Sequence, residues 1–379
     1  MEVAVLGGGY AGVASARRLE ARLPRSWAIT LVDEGGTHLL KHELHRTIRK
    51  PTLAEDIRIP LDELVTRSRL VEATISAVDR NSGTVRTVEG AHLEPTFTIV
   101  CLGARTATYG IEGVETYGQG CTSLADAVAI RERFCTAVPD GGRVIIVGAG
   151  LTGIQVAGEL AELRGMESKT VDLTLLEQQD RVAPAFPASF ARAVDRALRE
   201  RDVECCLGTT VRRLGDGRIH TATGREIPFD QLIWAGGIAG HDALDGRRWQ
   251  VDADLRVGER VFAAGDAAAV VDATGRLAVA SAQTAVRQGV QAADNVIRLA
   301  RAIEDGDRIF EPRLGYYDYE PRGWFVSVGD ETVGVLGDRV LTGRPARTAK
   351  TSVTLGYLAS VGAIERAIEK IGRTLPRIE

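Results

Sequence analysis

Apolar and polar residues follow one another along the start of the chain in an order typical of strand, turn, helix and strand. Residues 3–6 form an apolar run, a helical stretch follows the glycines at 7–12, and a second apolar run ends at Asp33. The order returns later, with apolar runs at 143–147 and 173–176 and a helical pattern between them. Each stretch predicts a β–α–β unit with parallel strands.

Further patterns predict the remaining elements. They are an antiparallel ribbon (70–79 and 84–88), buried strands (97–104, 229–235 and 261–269), helices (123–138 and 281–303), aromatic strands (316–335) and a final helical segment. The predicted fold class is α/β, with two Rossmann-like dinucleotide-binding domains and a small C-terminal α+β region. We expect the first domain to take residues 1–110 and 238–305, the second to be inserted at 111–237, and 306–379 to form the C-terminal region.

The first turn carries glycines in GxGxxG spacing at Gly7, Gly9 and Gly12. In such a turn the first glycine permits the tight bend, the second lets a pyrophosphate approach the backbone, and the third lets the helix pack on the strand. The pyrophosphate then lies on the N–H groups of the helix N-terminus. Asp33, 24 residues after Gly9, can bind a ribose. The stretch predicts an adenine-dinucleotide site.

A second turn repeats this pattern at Gly148, Gly150 and Gly153, and Glu177 follows Gly150 by 27 residues. The two motifs lie about 141 residues apart, so we expect two dinucleotide sites. Glu177 would bond both ribose hydroxyls and repel a 2′-phosphate, which favours NADH over NADPH. Arg181 could soften that preference, although a surface role is the commoner one for an arginine.

Composition narrows the class of protein. With 379 residues, 44% of them hydrophobic, the chain can bury two or three cores, and its net charge of −4 gives no sign of nucleic-acid binding. No apolar run reaches the length of a transmembrane helix, and no signal peptide precedes the first strand, so we expect a cytoplasmic protein. The five cysteines show no metal-ligand spacing, which fits a reducing compartment.

The order of these motifs resembles the two-dinucleotide-binding flavoprotein superfamily, and within it the type II NADH dehydrogenases, which are single-subunit NADH:quinone oxidoreductases. The resemblance rests on GARTATYGIEGV (103–114), GAGLTGIQVAGELAEL (148–163), LLEQQDRVAPAFP (175–187), LIWAGGIAGH (232–241), VFAAGDAA (261–268) and AQTAVRQG (282–289). The last segment is the most specific, because that family carries AQxAxQQG where the quinone meets the flavin.

The resemblance implies non-covalent FAD in the N-terminal site, NADH in the inserted site, and electron transfer to a quinone or another small acceptor without proton pumping. The implied FAD-binding residues are Gly7, Gly9, Tyr10, Ala11, Gly12, Asp33, Lys41, Ile75, Gly103, Ala104, Gly265, Asp266, Ala282 and Gln283. The implied NAD-binding residues are Gly148, Gly150, Thr152, Gly153, Glu177, Gly236 and Gly237. Gln283, Gln288, Gln155 and Lys41 are the implied catalytic residues, and no metal is expected.

Four positions depart from the family pattern. Arg287 replaces a glutamine, Gln155 a glutamate, Lys41 a glutamine, and His42 the proline that follows that glutamine. An ammonium group near the flavin would stabilise an anionic reduced form, which is a hypothesis about this chain. We interpret all six histidines as structural or solvent-facing.

The C-terminal segment carries an apolar stripe. It consists of Val353, Tyr357, Val361, Ile364, Ile368, Ile371 and Leu375, with Arg366, Lys370 and Arg373 beside it. A basic amphipathic helix can lie on an anionic membrane, as the family's tail does. The same stripe would suit a core or a homodimer face, and Gly356, Gly362 and Gly372 weaken the helix. Membrane attachment at the cytoplasmic face and dimerisation both stay open.

Three other functions stay open as well. A ferredoxin- or rubredoxin-reductase-like enzyme needs the same two sites and a protein acceptor, and Lys41 resembles a lysine of that group. A sulfide:quinone oxidoreductase needs a redox-active cysteine pair, and the chain has no cysteine after Cys206. A flavin-binding redox sensor would bind NADH without turnover.

Overall fold

The structure is a computed structural model, and it describes residues 1–306 and 312–363. The chain begins with a β–α–β unit and continues through short strands that surround it. The first elements are β1 (Glu2–Leu6), α1 (Tyr10–Arg22), β2 (Ala28–Asp33), β3 (Thr37–Leu39), α2 (Arg46–Arg49), β4 (Arg58–Pro60), α3 (Leu61–Leu64), β5 (Arg69–Glu72), β6 (Ile75–Val78), β7 (Val85–Thr87), β8 (His92–Leu93), β9 (Phe97–Val100) and β10 (Ala104–Thr106).

The middle of the chain repeats the unit. Its elements are α4 (Val114–Tyr117), α5 (Leu124–Thr136), β11 (Arg143–Val147), α6 (Leu151–Met166), β12 (Asp172–Leu176), α7 (Ala188–Arg199), β13 (Val203–Cys206), β14 (Val211–Gly215), β15 (Arg218–Thr221), β16 (Glu226–Pro228), β17 (Gln231–Trp234) and β18 (Ile238–Gly240).

The last part contains a long helix and a small C-terminal sheet. Its elements are β19 (Trp249–Val251), β20 (Arg256–Gly258), β21 (Val261–Ala263), β22 (Ala268–Val270), α8 (Ala282–Glu304), β23 (Trp324–Val328), β24 (Glu331–Leu336), β25 (Arg339–Thr342) and α9 (Gly343–Ser360).

Two parallel sheets organise these elements. The first has the order β20-β21-β9-β1-β2-β5, and only its edge pair β20–β21 is antiparallel. The second has the order β13-β12-β11-β17 and is parallel throughout. Because β21 comes after the second sheet in sequence yet pairs with β9, the chain returns to the first sheet once the inserted unit is complete. The α/β fold class is confirmed, with two doubly wound units.

The long helix α8 packs closely on α1, and small residues make this approach feasible. A methyl group built on Gly289 would lie 2.2 Å from the Ala11 carbonyl oxygen, so no larger residue fits there. The Ser15 hydroxyl lies in hydrogen-bonding distance of the carbonyls of both Ala11 and Gly289, at 2.8 and 2.9 Å. The first turn of α1 is therefore held against α8.

Two strand predictions need correction. Residues 69–72 form β5 at the edge of the first sheet and not part of a ribbon, since they pair in parallel with β2. The ribbon itself consists of β6, β7 and β8. An apolar run does not show which neighbour a strand pairs with. The predicted aromatic strands begin only at Trp324. Of the tyrosines at 316–319, Tyr317 and Tyr319 are buried outside any strand and Tyr316 is exposed.

The C-terminal helix buries only part of the predicted stripe. Ala346, Thr354 and Leu358 are its buried residues. Of the stripe, Val361 is 3% exposed and Tyr357 is half-buried, whereas Val353 is 59% exposed. The later part of the stripe, from Ile364 to Leu375 with its basic residues, lies outside the described residues. Among the helices in residues 1–306 and 312–363, none is long and apolar enough to cross a membrane.

Candidate functional site

The first glycine turn has the geometry that a bound pyrophosphate requires. Gly7 adopts φ +99°, in the region that favours glycine. A methyl group on Gly12 would lie 1.7 Å from the Gly7 carbonyl oxygen, whereas one on Gly9 would meet no atom within 4 Å. The third glycine is thus needed for packing, and the second leaves open space above the N-terminus of α1.

The second turn repeats this geometry. Gly148 also has φ +99°, and a methyl group on Gly153 would lie 1.9 Å from the Gly148 carbonyl oxygen. Gly150 again faces open space, and Thr152, in the first turn of α6, is exposed beside it. We refer to the turns Gly7–Gly12 and Gly148–Gly153 as the two cradles. They have the same shape and lie at the carboxyl ends of β1 and β11.

The two acids bind their own turns. The Asp33 carboxylate accepts hydrogen bonds from the N–H of Gly8 at 2.7 Å and of Gly35 at 3.0 Å. The Glu177 carboxylate accepts from Ala149 at 2.8 Å and from Gln179 at 2.9 Å. A carboxylate has about four acceptor positions. Each acid can fix its turn and still receive ribose hydroxyls.

The loop from 265 to 266 completes the first cradle. Gly265 has φ +70°, and its added methyl group would lie 3.0 Å from Ala11 Cβ, so the loop abuts the start of α1. The Gly265 N–H donates to Oε1 of the buried Gln288 at 2.9 Å. Asp266 is half-buried next to this loop. Gln288, predicted to be catalytic, thus holds the Gly-Asp loop in position.

Lys41, Gly103 and Ala104 form a second group of predicted FAD-binding residues. Gly103 has φ +72°, and the Lys41 ammonium nitrogen lies 4.0 Å from the position of its added methyl group. Lys41 is exposed and Ala104 is half-buried. Ile75 differs from these, since its side chain is buried in the core at β6.

The predicted acceptor segment begins α8. Ala282 starts this helix, and the half-buried Gln283 donates from Nε2 to the Gly323 carbonyl at 3.1 Å. The Arg287 guanidinium donates to the carbonyls of Glu320 at 2.5 Å and Asp318 at 3.2 Å. The arginine that departs from the family pattern therefore binds the segment before β23. Gln155 is half-buried one turn into α6.

The cysteines form no redox pair. All five are free, and burial raises the pKa of the thiols of Cys101 and Cys121 to about 12. A thiol with so high a pKa is a poor nucleophile near neutral pH. The adjacent Cys205 and Cys206 lie in strand β13.

Comparison with known proteins is consistent with this geometry. A family model described as pyridine nucleotide-disulphide oxidoreductase matches residues 1–289, more than half of the chain. The chain belongs to this family. All five cysteines of this oxidoreductase are free.

The oxidoreductase is also similar to full-length relatives. It is 25% identical over 403 residues to the type II NADH:quinone oxidoreductase of Staphylococcus epidermidis, with 97% of this chain and 98% of the relative covered. The Staphylococcus aureus protein is 24% identical with the same coverage. The predicted resemblance to this group is confirmed.

Solved structures show the same fold. NDH2 from Plasmodium falciparum in complex with NADH superposes with a TM-score of 0.81 at 14% identity, covering 98% of both chains. The sulfide:quinone oxidoreductase of Aquifex aeolicus gives a TM-score of 0.76 at 18% identity, covering 100% of this chain and 96% of that one.

Tyr109 is a residue of the second site that the sequence did not single out. Its hydroxyl donates to the Gly236 carbonyl at 3.2 Å, and a methyl group on Gly237 would lie 2.1 Å from that hydroxyl oxygen. Gly237 has φ +148°. Tyr109 is 67% exposed and covers the glycine pair of the oxidoreductase's second cradle. The one sequence feature that marks Tyr109 is its position as an aromatic residue directly before Gly110.

His38 and His42, in the loop at 38–45, make structural contacts, which is one of the two interpretations given for the histidines. His38 Nδ1 lies 2.9 Å from the Gly8 carbonyl, and its Nε2 lies 2.9 Å from the Tyr357 hydroxyl of α9. His42 bridges Tyr10 and Thr354. Burial lowers the pKa of His38 to about 4. These contacts join residues up to 319 positions apart, so no local pattern pointed to them.

Proposed function

We propose that the chain is an FAD-dependent NADH:quinone oxidoreductase that does not pump protons. The observation that carries this proposal is the pair of matching cradles, each with an acid bonded to its own glycine turn. FAD fits the first and NADH the second. The quinone is supported by the names of the curated relatives, which align over nearly the whole chain.

In this proposal the protein binds FAD and NADH and orients them for the reaction. The cradle at Gly7–Gly12 would hold the FAD pyrophosphate, and Asp33 its adenosine ribose. Asp266 would accept a hydrogen bond from a hydroxyl of the polyol. Bound FAD would supply acceptance of a hydride and onward transfer of two electrons. We expect Gln283 and Lys41 to lie where the electron acceptor approaches the flavin.

Preference for NADH follows from the second acid. A 2′-phosphate on the ribose would lie against the Glu177 carboxylate and be repelled. The guanidinium of Arg181 donates to the carbonyls of Pro184 at 2.8 Å and Phe186 at 3.3 Å, so it binds its own loop. These contacts argue against Arg181 as a phosphate ligand.

Stopped-flow absorbance tests the proposal. The FAD-loaded enzyme is mixed anaerobically with NADH and then with a soluble short-chain quinone. We expect bleaching of the flavin followed by fast reoxidation. If quinone did not reoxidise the bleached flavin, the function would be reassigned to an enzyme with a protein acceptor or to a sensor. If NADH did not bleach the flavin, the proposed NADH site would be refuted.

A matched pair of variants separates the two cradles in this assay. Gly153→Ala should abolish bleaching by NADH while dithionite still bleaches the bound flavin, because only the second turn is obstructed. Gly165→Ala, near the other end of α6, is the control, since its added methyl group meets no protein atom within 4 Å and Gly165 lies outside the glycine turn. If both variants bleached normally, NADH would bind elsewhere.

The proposal also includes where the oxidoreductase acts. Cytoplasmic location, peripheral contact with a membrane through the C-terminal segment and homodimerisation all rest on sequence patterns. Sedimentation of the full chain with anionic vesicles, with vesicle-free protein as the control for self-association, separates membrane binding from dimerisation.

A further inference from the structure

Tyr109 occupies a turn whose backbone conformation disfavours tyrosine. The N–H of Ile111 donates to the Thr108 carbonyl at 3.0 Å, and the residues between them, Tyr109 and Gly110, have φ +53° and +66°. Both central φ values are positive, as in a type I′ turn. In this left-handed region Cβ comes too close to the following carbonyl oxygen, which costs free energy for tyrosine but not for glycine.

Elsewhere the chain forms the same pair of conformations with aspartate. Asp216–Gly217 has φ +52° and +68°, and Asp245–Gly246 has φ +55° and +67°. Aspartate tolerates the left-handed region because its short polar side chain can hydrogen-bond locally, and Asp-Gly is a favoured pair for such turns. Tyrosine lacks this compensation, so formation of the turn does not explain the choice of Tyr109.

The contacts of Tyr109 in the free protein return little of this cost. Tyr109 is 67% exposed, so its ring buries little apolar surface, and its hydroxyl donates a neutral hydrogen bond of 3.2 Å to the Gly236 carbonyl. Ala107 fixes the turn independently of that bond, since its N–H donates to the Gly237 carbonyl at 3.0 Å and its carbonyl accepts from the Trp234 indole at 2.8 Å. Strain without burial is typical of residues that act on a ligand.

The order of the strands indicates which half of NADH reaches Tyr109. Strands β12, β11 and β17 are neighbours in the second sheet. Glu177, the expected ribose ligand, follows β12, and the second cradle follows β11. A dinucleotide that lies across the carboxyl ends of these strands therefore carries its nicotinamide half to the end of β17, about 5 Å further along the sheet.

The end of β17 is where Tyr109 lies. A methyl group on Gly148 would be 2.9 Å from Gly236 Cα, so the second cradle touches the glycine pair that follows β17. The Tyr109 hydroxyl bonds Gly236 and lies 2.1 Å from the position of a methyl group on Gly237. Absence of a side chain at Gly237 thus leaves room for the phenol beside the path of the dinucleotide.

We propose that Tyr109 is the contact residue for the nicotinamide riboside half of NADH. This inference rests on the proposed function, in which NADH occupies the second cradle. The exposed phenol ring packs on the flat nicotinamide at the end of β17. Contact between two aromatic rings then offsets the free energy that the left-handed backbone of Tyr109 costs.

Titration calorimetry of the FAD-loaded full chain tests this role with two ligands. NAD⁺ carries the nicotinamide and does not reduce the flavin, whereas ADP-ribose lacks the nicotinamide. In Tyr109→Asn, whose Asn-Gly pair suits the turn, we expect the Kd for NAD⁺ to rise roughly 10-fold, as loss of an aromatic contact predicts. The Kd for ADP-ribose should keep its wild-type value. Tyr109→Phe retains the ring and should keep the wild-type Kd for both ligands.

Asp216→Asn is the matched control, since it places asparagine in a turn of the same conformation. The Gly217 carbonyl accepts from the Phe229 N–H at 2.9 Å, just before β17 begins at Gln231. This turn is therefore at the opposite end of β17 from Tyr109. Asp216→Asn should leave the Kd for NAD⁺ and for ADP-ribose unchanged.

Thermal unfolding without nucleotide separates ligand contact from a structural role. Tyr109→Asn should have a Tm at or above that of the wild type, because asparagine adopts the left-handed region at less cost. A lower Tm, equal weakening of NAD⁺ and ADP-ribose, or an unchanged Kd for NAD⁺ would each overturn the role of Tyr109 and leave the proposed function standing. A wild-type protein that binds neither ligand would refute the proposed NADH site, and this inference with it.

Discussion

Replacement of Arg49 by methionine tests the most buried ionic contact between distant parts of the chain. Arg49 of α2 donates from Nε to Glu159 of α6 at 2.7 Å and from both terminal nitrogens to Asp330, at 2.7 and 3.1 Å. The Arg49 and Glu159 side chains are 6% and 1% exposed, whereas Asp330 is 58% exposed. The variant would leave the Glu159 carboxylate buried without its partner.

The expected cost follows from that burial. Loss of one partner of a buried ion pair destabilises a protein by about 3–5 kcal/mol, because the remaining charge stays out of water. Asp330 adds little, since water replaces its partner. Arg18→Met is a matched control, as Arg18 forms a similar two-pronged pair with Asp294 at the surface, where about 0–1 kcal/mol is expected.

The loss should depend on pH. Burial already raises the pKa of Glu159, although Arg49 opposes this, and removal of Arg49 raises it further. The folded variant therefore holds a proton that the unfolded chain releases, so its stability falls as pH rises from the unfolded value through the folded pKa. Arg49→Met should be less destabilised at pH 5 than at pH 8.

Urea unfolding followed by circular dichroism at the two pH values measures this effect. The double variant Arg49→Met, Glu159→Leu should recover most of the loss, since an apolar pair removes the buried charge. A loss below about 1 kcal/mol for Arg49→Met, or an equal loss for Arg18→Met, would refute the reasoning.

Three further substitutions are expected to act on one site each. Gly12→Ala should yield protein without bound flavin, seen as lost visible absorbance, because its methyl group would meet a backbone carbonyl at 1.7 Å. Gln288→Leu should leave the Gly265 N–H unpaired at a cost of about 1–3 kcal/mol and lower the flavin content measured per protein. Gly237→Ala should raise the KM for NADH in steady-state assays with flavin retained, since φ +148° and the nearby Tyr109 hydroxyl exclude a side chain; an unchanged KM would contradict it.

The predictions that succeeded depend on short stretches of sequence. The glycine turns and the acids that follow them could be predicted from about thirty residues each, because a tight turn followed by a helix restricts which residues fit. The helices at 124–136 and 282–304 likewise follow from local periodicity. The sequence by itself therefore determined the two cradles and the α/β class.

Partners of individual side chains were decided by the tertiary structure. Gln288 could be singled out from its motif, but only the fold shows that it bonds the loop at Gly265. Arg287 could be noticed as a departure, and its carbonyl partners explain it. The contacts of His42 with Tyr10 and Thr354 join residues 32 and 312 positions apart, and no local pattern predicts them. Local pattern fixes which face of an element is apolar, whereas contacts across hundreds of residues depend on how the elements pack.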